Sequence, residues 1–248
     1  MTRYRLTVEY DGAPFVGWQR QDNGATVQGA IEDAVFAFSG QRVEVAGAGR
    51  TDTGVHAEGQ VAHIDLATDR FDAVTVMNAI NAHLRPLPVA VVSASVASPD
   101  FHARFSAIWR SYRYVIVNRR APLALDLGRA WSVLAPLDVA AMSAGAERLI
   151  GHHDFTSFRA VHCQSKSPMK TLDVLQVSRH GERIVVEARA RSFLHHQVRN
   201  MVGTLRLVGE GKWQPDDVTA ALKARDRVAA GPTAPADGLT LTAVGYPD

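Results

Sequence analysis

Polar and apolar residues alternate from Arg3 to Tyr10, the period of a strand with one covered face. From Thr26 to Phe38 the apolar residues recur at helical spacing, with Thr26 placed as N-cap and Gly40 as the stop. Residues 43–46 and 61–66 read as strands on either side of a loop from Gly47 to Gly59. Asp72 then caps a helix reaching His83, and residues 89–96 form another strand. The second half repeats the order. Residues 110–117 make a strand, 138–150 a capped helix ended by Gly151, 172–177 and 184–190 two strands, and 194–208 a helix. Pro215 suits the first turn of a further helix, and residues 239–244 close the chain as a strand.

Strand, helix, strand, strand, helix, strand is the split βαβ order. It predicts an α+β protein of two ferredoxin-like, RRM-like domains, with antiparallel sheets flanking a basic active-site cleft. The expected domains are 1–104 and 105–248, the repeat resting on element order alone.

Composition adds exclusions. With 248 residues, 46% hydrophobic and 21% charged, the chain has enough apolar content for proper cores and lies far from the disordered regime. The single cysteine, Cys163, excludes an intrachain disulfide, and no Cys/His spacing suits structural zinc, so a reducing cytoplasmic setting is expected. The start MTRYRLTVEYDG alternates instead of presenting an apolar core, which argues against a signal peptide, and no apolar run approaches membrane-spanning length. A net charge of +2 is too small to announce a nucleic-acid partner; its distribution says more. Residues 101–125 contain no acid but carry Arg104, Arg110, Arg113, Arg119 and Arg120, and the acid-free stretch 155–172 holds Arg159, Lys166 and Lys170.

The candidate chemistry centres on Asp52, between Thr51 and Thr53 in a loop framed by Gly47, Gly49 and Gly54. Alone it reads as a turn aspartate. Arg50, His56 and Gln60 in the same segment make it more interesting. Asp52-Thr53-Gly54 also reproduces the aspartic-protease core, but Arg50 and Thr51 precede it where that motif has an apolar strand, and a second copy would have to come from a homodimer. The helix from Leu194 buries Leu194, Val198, Met201, Val202 and Leu205 and leaves His195, Arg199 and Arg206 on its polar side. Arg199 is either a solvated helix arginine or a cation that keeps an aspartate ionised, a pairing that lowers a carboxylate pKa by roughly 1–3 units. His195 and His196 are adjacent and so do not share the helix face a metal pair needs; no metal site is expected. Tyr112 and Tyr114 share one strand face, suited to core packing or to stacking on an extruded base, with Arg104, Arg110 and Arg120 nearby in sequence for phosphates.

The segments YDGAPFVGWQRQ, TVQGAIE, GRTDTGVHAEGQ, FHARFSA, RSYRY, DFTSFRAVHCQS and FLHHQVRNMVG together resemble the tRNA pseudouridine synthase A family, in order and over essentially the whole chain. The resemblance implies isomerisation of uridine to pseudouridine at positions 38, 39 and 40 of the tRNA anticodon arm, without cofactor or metal, by a homodimer in which one tRNA spans both subunits. It implies Asp52 as nucleophile, Arg199 as its support, Tyr112 against the uracil and Arg50 in base flipping. Arg70, Arg104 and Arg120 would touch tRNA, with Phe101, His102, Ala103, Arg104 and Phe105 forming one RNA-contacting loop. His162, Cys163, Gln164, Ser165 and Lys166 would form another. His162 stands where the family commonly has glutamine, and Gln197 where it has an apolar residue, departures expected to bear on tRNA contacts. Attack at C6, attack at C1′ and base chemistry at the sugar all remain open for Asp52. The rival of another class is a passive RNA-binding protein built on tandem ferredoxin-like domains, although no RNP-type aromatic motif occurs.

Overall fold

The computed structural model describes residues 1–161 and 163–247. The chain packs as two units, the first of residues 1–108 with the C-terminal stretch from Thr240, the second of residues 109–239.

In the first unit, β1 (Thr2–Tyr10) buries Tyr4, Leu6, Val8 and Tyr10 in alternation. α1 (Val27–Ser39) begins where the Thr26 hydroxyl accepts from the Gly29 amide at 3.1 Å, and stops at Gly40, whose φ of 72° supplies the left-handed cap. After β2 (Ala46–Gly47) and β3 (His56–Leu66) comes α2 (Ala73–Leu84), capped by the Asp72 carboxylate on the Thr75 amide at 2.6 Å, and then β4 (Val89–Ala97). The strand order is β4-β1-β3-β2, each adjacent pair antiparallel, and α1 packs on α2. β3 starts at His56, five residues before the expected Val61. Residues 59–64 are buried without alternation, so no period-2 pattern marks where the strand starts.

The last strand, β10 (Leu239–Gly245), lies parallel to β3, with Thr240 opposite His56 and Leu241 opposite Ala57. Two expectations change here. The sheet is mixed instead of antiparallel, and the C-terminal strand leaves the continuous second segment 105–248 to join the first unit. A local pattern specifies that a strand forms but not which edge it joins. Close approach needs Gly59, since a Cβ there would lie 2.4 Å from the Thr242 carbonyl oxygen.

The second unit comprises β5 (Trp109–Asn118), β6 (Trp131–Val133), α3 (Val139–Glu147), β7 (Gly151–Asp154), β8 (Met169–His180), β9 (Arg183–Ala190), α4 (Gln197–Gly209) and α5 (Pro215–Ala224). Its strand order is β5-β9-β8-β7, antiparallel, with β6 added parallel to β5. β6 and β7 are too short to leave a readable period. Asp138 caps α3 as expected, but the helix ends at Glu147, not at Ile150.

α4 begins three residues later than its apolar spacing suggests. The Gln197 side-chain oxygen accepts from the Leu194 amide at 2.8 Å, and His196 turns into the helix at φ 63°. Its buried face is also wider than the apolar stripe and includes Asn200 and Thr204. Asn200 donates to the Phe158 carbonyl at 2.8 Å and accepts from the Arg227 guanidinium at 3.1 Å and the Thr233 hydroxyl at 2.6 Å. The Thr204 hydroxyl accepts from the Gly231 amide at 2.9 Å. These bonds strap residues 227–234 onto the helix.

Candidate active site

Asp52 sits in a loop that the 10–18 segment holds from several sides, all within the first unit. The Trp18 amide donates to the Thr51 carbonyl at 3.1 Å. The Thr51 hydroxyl is 2.8 Å from the buried Tyr10 hydroxyl, and the Thr53 hydroxyl donates to the Val16 carbonyl at 3.0 Å. Val55 N–H closes the turn on the Asp52 carbonyl at 3.1 Å, with Gly54 at φ 78° in the left-handed position the turn demands. Both threonine hydroxyls flanking Asp52 are thereby committed to the scaffold. Contact this close requires glycine opposite: a Cβ on Gly12 would stand 2.1 Å from the Val55 carbonyl oxygen, and one on Gly17 2.8 Å from the Thr51 carbonyl oxygen. Gln60 and His56, both buried, act from beneath. Gln60 donates to the Gly49 carbonyl at 2.8 Å, and the Gly12 amide donates to His56 Nδ1 at 3.0 Å. Arg50 is exposed.

The 101–105 loop, also in the first unit, divides into anchors and tip. Arg3 donates to the Pro99 and Phe101 carbonyls, each at 2.6 Å, while pairing with Asp65 at 2.6 Å. The Tyr246 hydroxyl donates to the Ala103 carbonyl at 2.6 Å, and the Arg5 guanidinium lies 4.5 Å over the Tyr246 ring and 5.5 Å over Phe101. The Ala103 amide donates to His63 Nδ1 at 3.2 Å. Ala103 is fully buried and Phe101 half-buried, so these two fix the loop. Arg104 and the 72% exposed Phe105 project outward, the His102 ring lying 4.4 Å from that of Phe105. Arg70 is exposed over the Phe71 ring at 4.7 Å.

In the second unit, Tyr112 is buried on β5 with its ring 5.3 Å from Phe193, edge to face. Tyr114 points the same way, donates to the Pro235 carbonyl at 2.8 Å, and has its pKa pushed far up by burial. Arg199 on α4 is half-buried: its Nε donates to the Ala234 carbonyl at 2.8 Å, and its charge pulls the Tyr114 pKa back down. Arg199 is therefore held by the strap and is not a freely solvated helix residue. Cys163 is half-buried, its amide donating to the Ala160 carbonyl at 3.1 Å; the Ser165 hydroxyl donates to the Ser167 carbonyl at 3.0 Å, and Gln164 and Lys166 are exposed. His162 lies outside the described residues. Arg120 is exposed beyond the end of β5.

A family profile described as tRNA pseudouridine synthase matches residues 6–106 and 146–247. The chain belongs to the tRNA pseudouridine synthase family. Similar relatives carry the name tRNA pseudouridine synthase A: one from Paramagnetospirillum magneticum is 65% identical, spanning 99% of this chain and 96% of the relative. One from Rhodospirillum rubrum is 60% identical over 100% and 88%, and one from Rhizobium meliloti 58% identical over 99% and 100%. Full-length identity at this level ends the aspartic-protease reading of Asp-Thr-Gly. The profile match contains Asp52, Arg50, Arg70, the 101–105 loop, the 162–166 segment and Arg199, whereas Tyr112 and Arg120 fall between its two parts. Among the described residues, no helix is long and apolar enough to cross a membrane.

Several residues of this synthase scaffold have roles that their sequence context does not display. Gln197 is buried and caps the turn into α4, so its departure from the family pattern has a structural role. The Asn200–Arg227 network left no sequence signal, because its partners are remote in the chain. His63 was passed over as a strand residue. Burial, then the charges of Arg3 and His102, lower its pKa to about 4 from the ordinary 6.5 of a histidine. The folded state thus holds a neutral ring while the unfolded chain takes up a proton from about pH 6.5 downward, so stability is unaffected above pH 6.5 and falls as the pH drops toward 4. Urea unfolding midpoints should decline more steeply between pH 6.5 and 4 in the native protein than in His63→Gln, and the His63 ring resonances should not titrate near pH 6.5.

Proposed function

We propose that the chain isomerises uridine to pseudouridine at positions 38, 39 and 40 in the anticodon stem and loop of tRNAs, with Asp52 as the nucleophile. Uridine isomerisation in tRNA follows from membership of the tRNA pseudouridine synthase family. The observation that carries the proposal is the Asp52 loop, whose two flanking threonine hydroxyls are tied to Tyr10 and Val16, so that the aspartate stands on a fixed turn.

The reaction breaks the bond from ribose C1′ to N1, turns the uracil and rejoins it through C5. The carboxylate must therefore stand in one place through both bond changes, and rigid backbone support supplies that. In this proposal Arg199 supports Asp52, Tyr112 contacts the uracil and Arg50 assists flipping. Arg70, Arg104, Arg120 and the 101–105 and 162–166 segments hold the anticodon arm. The exposed Phe105 ring beside Arg104 and His102 suits stacking against an unpaired base with a cation for the backbone. The strand order β4-β1-β3-β2, with two helices, supports a ferredoxin-like first unit. A homodimer in the cytoplasm, working without cofactor or metal, completes the proposal; a free Cys163 suits a reducing compartment.

The test is incubation with unmodified tRNA transcripts carrying uridine at 38, 39 or 40, followed by chemical mapping. Pseudouridine is expected at those positions only. Binding without any pseudouridine would favour the passive RNA-binding reading, and modification elsewhere in the tRNA would overturn the site assignment.

A further inference from the structure

We infer that Tyr10 is a positioning residue for the isomerisation, setting the Asp52 carboxylate through its hydrogen bond to Thr51. The inference rests on Asp52 being the nucleophile.

Tyr10 lies at the end of β1, 5% exposed, with its ring tilted against Trp18 at 6.0 Å. Its hydroxyl faces the Thr51 hydroxyl at 2.8 Å, one residue from Asp52. A buried phenol could have been a phenylalanine unless its oxygen had a task, because burying a hydroxyl costs free energy that only a good partner returns. The hydroxyl stays protonated through the physiological range: burial raises its pKa to about 12, against the opposing pull of Thr51 and Gln60. It therefore stays neutral, and either hydroxyl of the Tyr10–Thr51 pair can be the donor.

Thr51 is held in two ways at once. Its carbonyl accepts from the Trp18 amide at 3.1 Å, which fixes the backbone, and its side chain is fixed by Tyr10. On the far side of Asp52 the Thr53 hydroxyl donates to the Val16 carbonyl at 3.0 Å, and Thr53 is exposed. Tyr10 is thus the buried half of a two-point clamp. Gln60, fully buried beneath the same loop, donates to the Gly49 carbonyl at 2.8 Å and fixes the loop's entry. Without the clamp the Asp52 turn keeps its fold, since the Val55–Asp52 backbone bond survives, but gains freedom at the residue that must meet the nucleotide.

The experiment compares Tyr10→Phe, Thr51→Val, Thr51→Ser and the double variant Tyr10→Phe/Thr51→Val in the full-length protein. Single-turnover pseudouridine formation, tRNA Kd and Tm are measured for each. Tyr10→Phe and Thr51→Val should each slow the rate roughly 10- to 100-fold, the scale of a misplacement near 1 Å, with tRNA Kd unchanged. Loss of one hydrogen bond should lower Tm by only about 2–4 °C. Thr51→Ser, which keeps the hydroxyl, should stay close to the native rate, and the double variant should be no slower than the slower single, because both changes cut the same bond.

An undiminished rate in either single variant overturns the inference. So does Thr51→Ser being as slow as Thr51→Val, which would mean methyl packing. Rates falling in step with Kd and Tm would make Tyr10 merely structural and overturn it too. If Tyr10→Phe fails to fold, the Thr51 pair decides. Failure of the underlying reading looks different: native protein without pseudouridine, or Asp52→Asn with full activity, defeats the nucleophile assignment and the inference with it.

Discussion

Asp52→Asn protein is expected to fold, to bind tRNA and to form no detectable pseudouridine, as the proposed role of Asp52 as nucleophile requires. The substitution keeps size and shape and removes the charge, and an amide is no nucleophile and no base at neutral pH. The backbone contacts that shape the loop, from Trp18 to Thr51 and from Val55 to Asp52, do not use the Asp52 side chain and remain. Removing the nucleophile of an enzyme that acts as a unit typically costs about 10⁴-fold or more in rate, so activity should drop below that threshold. Matching far-ultraviolet circular dichroism and a tRNA Kd within about threefold, less than 1 kcal/mol, would establish that the loss is chemical. Residual turnover within tenfold of the native rate would remove Asp52 from its role.

Gly12→Ala is expected to be the most damaging single methyl near the loop, although Gly12 lies forty residues from Asp52 in sequence. The new Cβ would stand 2.1 Å from the Val55 carbonyl oxygen and 2.5 Å from its carbon, both backbone, so no flexible side chain can yield. Either β1 or the 52–55 turn must move. Overpacking against rigid backbone costs about 1–3 kcal/mol, and displacement of the turn should lower pseudouridine formation by at least about tenfold. Gly49→Ala is the matched comparison. It lies inside the Asp52 segment, has nothing within 4 Å of the would-be Cβ, and should leave the unfolding midpoint essentially unchanged. Equal destabilisation by the two substitutions would contradict the close approach of the 10–18 segment. The pair also explains why GRTDTGVHA is an incomplete description: the steric demand for glycine lies partly in the segment that follows β1.

Much of this was legible from order and spacing along the chain. Period-2 alternation marked β1 and β5, and the caps Thr26, Asp72 and Asp138 formed as expected because a cap is a contact three residues long. Asp52 stood out as a glycine-framed carboxylate, and resemblance along the chain pointed to the tRNA pseudouridine synthases, to which it belongs. Less visible were the features whose partners lie far away in sequence. The start of β3 was hidden by burial without alternation, and Gln197 looked like an RNA contact because a buried helix cap cannot be told from an exposed amide by residue type.

Most of the helices and strands, and the caps Thr26, Asp72 and Asp138, could be read along the chain because each depends on interactions within a few residues. Tertiary structure alone decided that β10 runs parallel to β3, that Asn200 and Arg227 strap Arg199's helix, that Phe101 and Ala103 anchor their loop while Arg104 and Phe105 leave it, and that Tyr10 holds Thr51. Those outcomes join residues up to 184 positions apart, as Thr240 and His56 are in the sheet. Which remote partners meet depends on closing long loops around a particular core, and short-range periodicity carries no record of that choice.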